Sequence, residues 1–153
     1  MESESRIYRT YKDHLGKFGE FSDNKPRLAY VDDIPYAVKS HSINLCIKGY
    51  KTTGFSVSAG WAGATQQEID ELASKISLNC DVAIVDLDIN GVDTYELMEK
   101  LKDKGRTVVI FSGAAPRLND FNELKGLADL YLTKPMDEDK IIDEIEKLFH
   151  SKK

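Results

Sequence analysis

The stretch Asp81-Val82-Ala83-Ile84-Val85-Asp86-Leu87-Asp88 decides the fold. Its apolar run, Val82 to Val85, stops abruptly at an acidic cluster. A short apolar run of this kind reads as a strand buried on both faces, as in a parallel sheet. Asp86 then stands where the strand leaves the sheet at its carboxyl end. In open α/β sheets that edge is where ligands bind. An aspartate there has three readings on its own: helix cap, metal ligand or nucleophile.

Working outward, the same pattern recurs. Upstream, Leu28 to Val31 run straight into Asp32-Asp33, and Pro35 suits the first turn of a helix carrying Val38, His41 and Leu45, which stops near Gly49. His41 reads as a semi-buried helix residue rather than a ligand. Thr52 to Ala59 alternates Phe55, Val57 and Ala59 with polar residues, the mark of a strand. Gly60 to Gly63 is a loop in which Trp61 is expected to cover the edge of the core. Thr65 and Glu68 form a capping box ahead of a helix carrying Ile69, Leu72, Ala73 and Ile76. Downstream, a loop from Asp88 to Asp93 leads to a helix with Tyr95, Met98 and Leu101, ended by Gly105. Thr107 to Ser112 is a fourth strand. Leu118, Phe121 and Leu124 follow Pro116 at helical spacing. Ala128 to Thr133 is a fifth strand, and Asp137 to His150 a last helix with Ile141, Ile142, Ile145 and Leu148 inward.

Five strands alternating with five helices predict an α/β domain, a doubly wound parallel sheet with helices on both faces. Right-handed crossovers then place every strand's carboxyl end on one edge. That edge collects Asp32, Asp33, Asp86, Ser112 and Lys134. Residues 1–26 stand apart as an N-terminal extension. Ile7, Tyr11, Leu15 and Phe18 have helical spacing there, which predicts a short amphipathic helix, broken at Gly16 and Gly19 and closed by Pro26. The domain proper is read as 27–150, with a tail at 151–153.

With 153 residues, 41% hydrophobic and 31% charged, the chain is the size and composition of one soluble domain. A net charge of −5 argues against direct nucleic-acid binding, because phosphate contacts want a basic face. No apolar run approaches the roughly 18 residues of a membrane span, and the polar start, Met1 to Ser5, has no signal-peptide pattern. Cys46 and Cys80 lack metal-ligand spacing and read as reduced, partly buried thiols of a cytoplasmic protein.

Three carboxylates on one edge repel and raise one another's pKa, and a divalent cation removes the conflict. Oxygen-only ligands favour Mg²⁺ over zinc. Lys134 adds a fixed positive charge and Ser112 a hydroxyl. Metal, lysine and hydroxyl together suit the equatorial oxygens of a transferring phosphoryl group, and a facing carboxylate can be its nucleophile.

The ordered set of Asp32-Asp33, Asp86, Ser112 and Lys134-Pro135, each after a successive strand, resembles the receiver domain of two-component response regulators. The resemblance covers about residues 27 to 150. It implies a flavodoxin-like (βα)5 fold with strand order 2-1-3-4-5. It implies that Asp86 accepts a phosphoryl group from a phosphohistidine on a sensor histidine kinase or a histidine phosphotransfer protein. Asp32, Asp33, Asp86 and the backbone carbonyl of Asp88 would hold Mg²⁺, Lys134 would pair with the phosphate, and Ser112 would hydrogen-bond it. Tyr131 matches the aromatic switch position, and the Lys134–Pro135 peptide is expected to be cis. Such a protein is a regulatory phosphoacceptor, not an enzyme beyond its own phosphorylation and dephosphorylation. Because the chain ends after its last helix, a stand-alone receiver is expected, with output through a downstream protein partner, a phosphorelay or the N-terminal extension, whose aromatic residues are a candidate homodimer contact.

The sequence departs from the family at four places, one of them a somewhat short stretch from Asp86 to Ser112. The loop after Asp86 reads Asn90-Gly91-Val92-Asp93-Thr94 where Pro-Gly-x-Asp-Gly is common. The separation of Asp32-Asp33 from Asp86 is long, with the excess around Lys51 to Thr65. Asp88 is acidic, two residues past the phosphoacceptor, and is a candidate modulator of dephosphorylation. Two rival readings remain. One is a pseudo-receiver, a phosphorylation-independent interaction module. The other is a haloacid-dehalogenase-like phosphatase with Asp86 as nucleophile, suggested by Asp86-x-Asp88. Against the phosphatase, Asn90-Gly91 does not reproduce that family's Gly-Thr pair, and its remaining acids would have to follow Lys134.

Overall fold

The computed structural model of the chain describes residues 5–12, 24–113 and 126–151. Among them six strands form one sheet: β1 (Tyr8–Tyr11), β2 (Leu28–Asp32), β3 (Thr52–Val57), β4 (Val82–Val85), β5 (Thr107–Ser112) and β6 (Leu130–Thr133). Four helices are described: α1 (Pro35–Ile47), α2 (Gln66–Asn79), α3 (Thr94–Asp103) and α4 (Glu138–Ser151), with a 3₁₀ turn at Gly60–Ala62. The order across the sheet is β1-β3-β2-β4-β5-β6, and every pair is parallel except β1 with β3. Without β1 this is the predicted 2-1-3-4-5 order. The predicted helix over Leu118, Phe121 and Leu124 lies outside the described residues.

Alternation along the strands splits the core in two. Ala29, Val31, Ala83 and Val85 face α2 and α3, in one cluster with Leu72, Ile76, Leu97 and Met98. Leu28, Tyr30, Val82 and Ile84 face α1 and α4, with Val38, Leu45, Ile141 and Ile145. The central strands are buried on both faces, which explains their unbroken apolar runs. Gly54 lets α1 lie close on β3, since a Cβ there would come within 2.6 Å of Val38 Cγ1. Thr65 accepts from the Glu68 N–H while Glu68 accepts from the Thr65 N–H, the capping box the sequence predicts. Cys46 and Cys80 are both buried, free thiols. No helix among the described residues is long and apolar enough to cross a membrane.

Two expectations change. Residues 8–11 form an edge strand rather than a helix, pairing antiparallel with β3 from Tyr8 opposite Val57 to Tyr11 opposite Gly54. The open edge of β3 supplies hydrogen bonds that an isolated short helix could not match in water. Ile7 enters the core beside the strand and is only 2% exposed. Leu15 and Phe18, the rest of the predicted helical stripe, lie outside the described residues. Trp61 does not cover the core edge but stands fully in solvent. It rides on the 3₁₀ turn between Gly60 (φ 63°) and Gly63 (φ 70°), which lifts it off the sheet, and Ala59 and Ile89 close the core below.

Because Ile7 is anchored in the core, Ile7→Ala should lower stability by about 2–4 kcal/mol, read as a lower urea midpoint at unchanged slope. A loss under 0.5 kcal/mol would mean that β1 contributes little to the fold.

Candidate functional site

The parallel strands deliver their ends to one edge, and there the predicted acids converge. Asp32 ends β2, Asp33 follows it, and Asp86 follows β4. One carboxylate oxygen of each lies within 4.8 Å of the others. Asp32 has no exposed surface and Asp86 is 8% exposed. Asp32 Oδ1 accepts from the Asp33 N–H (2.7 Å) and the Ile34 N–H (3.3 Å), so the start of α1 turns around this carboxylate. Asp86 Oδ1 accepts from the Asp88 N–H (3.2 Å).

Lys134 follows β6. Its backbone N–H donates to the Ser112 carbonyl (2.7 Å), extending the β5–β6 ladder and fixing lysine and serine side by side. The ammonium donates to Asp32 Oδ2 (2.9 Å), lies 3.5 Å from Asp86 Oδ2, and sits 5.3 Å above the Phe111 ring centre. The Lys134–Pro135 peptide is cis. Ser112 is buried at the end of β5. Tyr131 pairs with Ile110, two residues before Ser112, so the tyrosine and the serine share a sheet face; Tyr131 is half-buried against the α2–α3 side of the core. Asp88 is exposed. His41, read as a helix residue, is one: its Nδ1 lies 2.8 Å from Glu138 Oε1 and its ring stacks on Tyr30.

Thr94 is a contributor that sequence reading treated only as a departure. It is buried, and its hydroxyl donates to the Leu87 carbonyl (3.0 Å), tying the first turn of α3 to the residue after Asp86. The signal available was its position beside Asp93, which caps α3 by accepting from the Glu96 N–H.

The electrostatics follow from burial. Loss of solvent pushes the Asp86 carboxyl up to about 6; the Asp88 N–H and Lys134 oppose this, and the Asp32 charge adds to it. Burial also acts upward on Asp32, but the Lys134 ammonium, the Asp33 side chain and the Ile34 N–H outweigh it and leave Asp32 below its ordinary range. Asp33 is raised, by burial first and then by Asp32. Lys134 is held above its ordinary value by Asp32 and Asp86 despite its own burial. One lysine for three carboxylates leaves excess negative charge, and an all-oxygen donor set of this kind fits Mg²⁺. Asp33 and Asp86 are the acids left least compensated by Lys134.

Comparison with known proteins bears on the fold. A scan of protein-family models and a search of curated proteins each gave no match. Solved structures do match. The receiver domain of Francisella response regulator 1452 superposes at a TM-score of 0.62 with 24% identity, covering 84% of this chain and all of that one. A CheY-like receiver from Methanospirillum hungatei gives 0.64 with 24% identity, covering 82% and 95%. A response regulator from Thermotoga maritima, solved in complex with Mg²⁺-BeF, gives 0.60 with 21% identity, covering 81% and 99%. The chain has the fold of the CheY-like response-regulator receiver domains, with one strand more at the β3 edge.

The raised Asp86 carboxyl has a consequence for stability. A group whose folded pKa exceeds its unfolded value contributes stability that is full below the unfolded pKa, near 4, and lost as pH rises through about 6. At neutral pH without Mg²⁺, Asp86→Asn should therefore be more stable than the wild type, by on the order of 2 kcal/mol or a few degrees in Tm. The gain should shrink toward pH 4. Thermal melts at pH 4, 5.5 and 7 check it; an equal or lower Tm for the variant at pH 7 contradicts the assignment.

Proposed function

We propose that this chain is a phosphoacceptor signalling domain, cytoplasmic, which takes a phosphoryl group onto Asp86 and thereby changes its binding to a protein partner. The observation that carries the reading is the Lys134 ammonium held between Asp32 and Asp86 within a cluster of three carboxylates. A carboxylate that could serve as nucleophile, a fixed cation and a candidate cation site, all at the carboxyl edge of the sheet, support this reading. The resemblance of fold to structures described as response regulators supports it.

In this reading an Asp86 carboxylate oxygen attacks the phosphorus of a phosphohistidine on a sensor kinase or phosphotransfer protein. The new O–P bond forms as the P–N bond breaks, and the ring, already protonated on its other nitrogen, takes the P–N electron pair and leaves as neutral imidazole. Asp32, Asp33, Asp86 and the carbonyl of Asp88 are the candidate Mg²⁺ ligands; when bound, the ion would neutralise charge on the phosphoryl oxygens. Lys134 moves its contact from Asp86 to the new phosphate. Ser112 hydrogen-bonds a phosphoryl oxygen, and Tyr131, on the same sheet face, is the aromatic reporter. Phosphorylation is thus a local change of charge read by a bistable side-chain pair.

Incubation with phosphoramidate and Mg²⁺ should add one phosphoryl group to the intact mass, and neither Mg²⁺-free protein nor Asp86→Asn should gain it. No gain in folded wild type would leave a phosphorylation-independent binding module, while fast continuous phosphate release would favour a phosphatase with the same nucleophile.

Asp88 is exposed beside Asp86 and can orient the water that hydrolyses the aspartyl phosphate. Asp88→Asn should lengthen the phosphoryl lifetime about tenfold, followed by intact mass after donor removal. An unchanged lifetime removes that role.

A further inference from the structure

Three features of this chain fall outside the phosphorylation chemistry: the N-terminal strand, the long connection between β3 and α2, and the Asn90-Gly91 pair after the phosphoacceptor. In the structure they touch one another in series. The Ser58 N–H donates to the Ile7 carbonyl (2.8 Å), docking the N-terminal segment on the end of β3. Arg6 then reaches over the turn. Its guanidinium donates to the Gly63 carbonyl (2.8 Å) and, through two nitrogens, to both carboxylate oxygens of Glu68 (2.7 and 2.8 Å). The turn in turn grips the next loop: the Ala59 N–H donates to the Asn90 carbonyl and the Ala64 N–H to the Gly91 carbonyl, both at 2.8 Å.

The contact at Gly91 is too tight for a side chain. A Cβ there would lie 2.5 Å from the Gly60 carbonyl oxygen and 2.9 Å from Ala59 Cβ, and Gly91 has a φ of 78°. The gripped loop ends at the site itself, where the Asp88 N–H holds Asp86 Oδ1 and Thr94 holds the Leu87 carbonyl. A continuous path of hydrogen bonds and close packing therefore runs from Arg6 to the Asp86 carboxylate. The bidentate Arg6–Glu68 pair has the planar fork geometry of the stronger ion pairs, and the same guanidinium also holds backbone at the Gly63 carbonyl.

We propose that Arg6 is a positioning residue for the Asp86 site, acting through the 58–64 turn and the 87–93 loop. This rests on the reading of Asp86 as a phosphoacceptor with a cation site. With the clamp closed, the loop presents Asp88 to Asp86 and to the cation without further ordering. With it open, assembling the same ligands costs loop entropy. Linkage makes the effect reciprocal: filling the cation site tightens the turn, and displacing the N-terminal strand weakens the site.

Trp61 is the only tryptophan in the chain and rides on this turn in full solvent contact, so its emission reports on the clamp directly. Two quantities are measured on the full chain: the Mg²⁺ concentration for half-maximal phosphorylation by phosphoramidate, and the change in Trp61 emission as Mg²⁺ is added alone. Arg6→Ala should raise the half-saturating Mg²⁺ about three- to tenfold and abolish the Trp61 response, with Arg6→Lys recovering part of both. Arg27→Ala is the control. It breaks the Arg27–Asp81 pairing at the amino end of the sheet, away from the site, and should lower Tm while leaving both readouts unchanged.

An Arg6→Ala protein with wild-type Mg²⁺ dependence and Trp61 response overturns the proposal. So do equal shifts in Arg6→Ala and Arg27→Ala, which would mark a general loss of stability, and so does a wild type whose Trp61 ignores Mg²⁺. If the wild type gains no phosphoryl group, it is the phosphoacceptor reading that fails. The clamp is then judged on the Mg²⁺ response of Trp61 alone, in which loss on Arg6→Ala supports it and retention overturns it.

Discussion

The Lys134 ammonium, 2.9 Å from Asp32 and 3.5 Å from Asp86, lets a buried acidic cluster coexist with a folded sheet. Without a cation, the carboxylates at this edge would repel across a site where burial already disfavours their charge. The lysine is shared unequally. It keeps Asp32 ionised and leaves Asp86 with a raised carboxyl, short of positive charge. That imbalance is the physical content of the site: Asp32 is held as a carboxylate by the lysine, and Asp86 is left short of positive charge.

The backbone makes the arrangement possible. Lys134 and Ser112 are joined by the hydrogen bond that extends β5 and β6, and Asp32 is wrapped by the first N–H groups before α1. Three strands thus supply the charges, and each is fixed by a pairing or a turn rather than by a flexible side chain alone. His41 and Asn44 on α1, meeting the Glu138 carboxylate, tie α1 to the helix that follows Lys134. The element after the acids and the element after the lysine are therefore held together a second time, away from the site.

The site was more legible in the sequence than the periphery was. Val82–Val85 and Val108–Phe111 are apolar without interruption because both sheet faces are covered, and the polar residues that end them stand at the carboxyl edge of the sheet. Strand β1 was not legible because nothing local specifies it. A spacing of four places Ile7 and Tyr11 together on a helix, whereas here Ile7 packs in the α2–α3 cluster and Tyr11 against the α1–α4 cluster, on opposite faces of the sheet. What decides between helix and strand is the unpaired edge of β3, distant in sequence. Trp61 misled for a related reason: its hydrophobicity argued for burial, but the glycines on either side set the turn that carries it outward.

The departures from the receiver pattern become one feature once the loops are seen together. A longer β3–α2 connection is needed to form the turn at Gly60–Ala62, and that turn needs a partner with no side chain where Gly91 lies against it. Asn90 and Gly91 in turn lend their carbonyls to Ala59 and Ala64, which satisfies two N–H groups of the extra segment. The added residues and the altered loop thus compensate each other, and the segment just before β1, with Arg6 and Ile7, docks on the turn they form. Without the 90–91 carbonyls the Ala59 and Ala64 N–H groups would lose these partners, and without the N-terminal segment so would the Ser58 N–H. The N-terminal strand is on this account a structural consequence of how this chain supports the loop that follows Asp86.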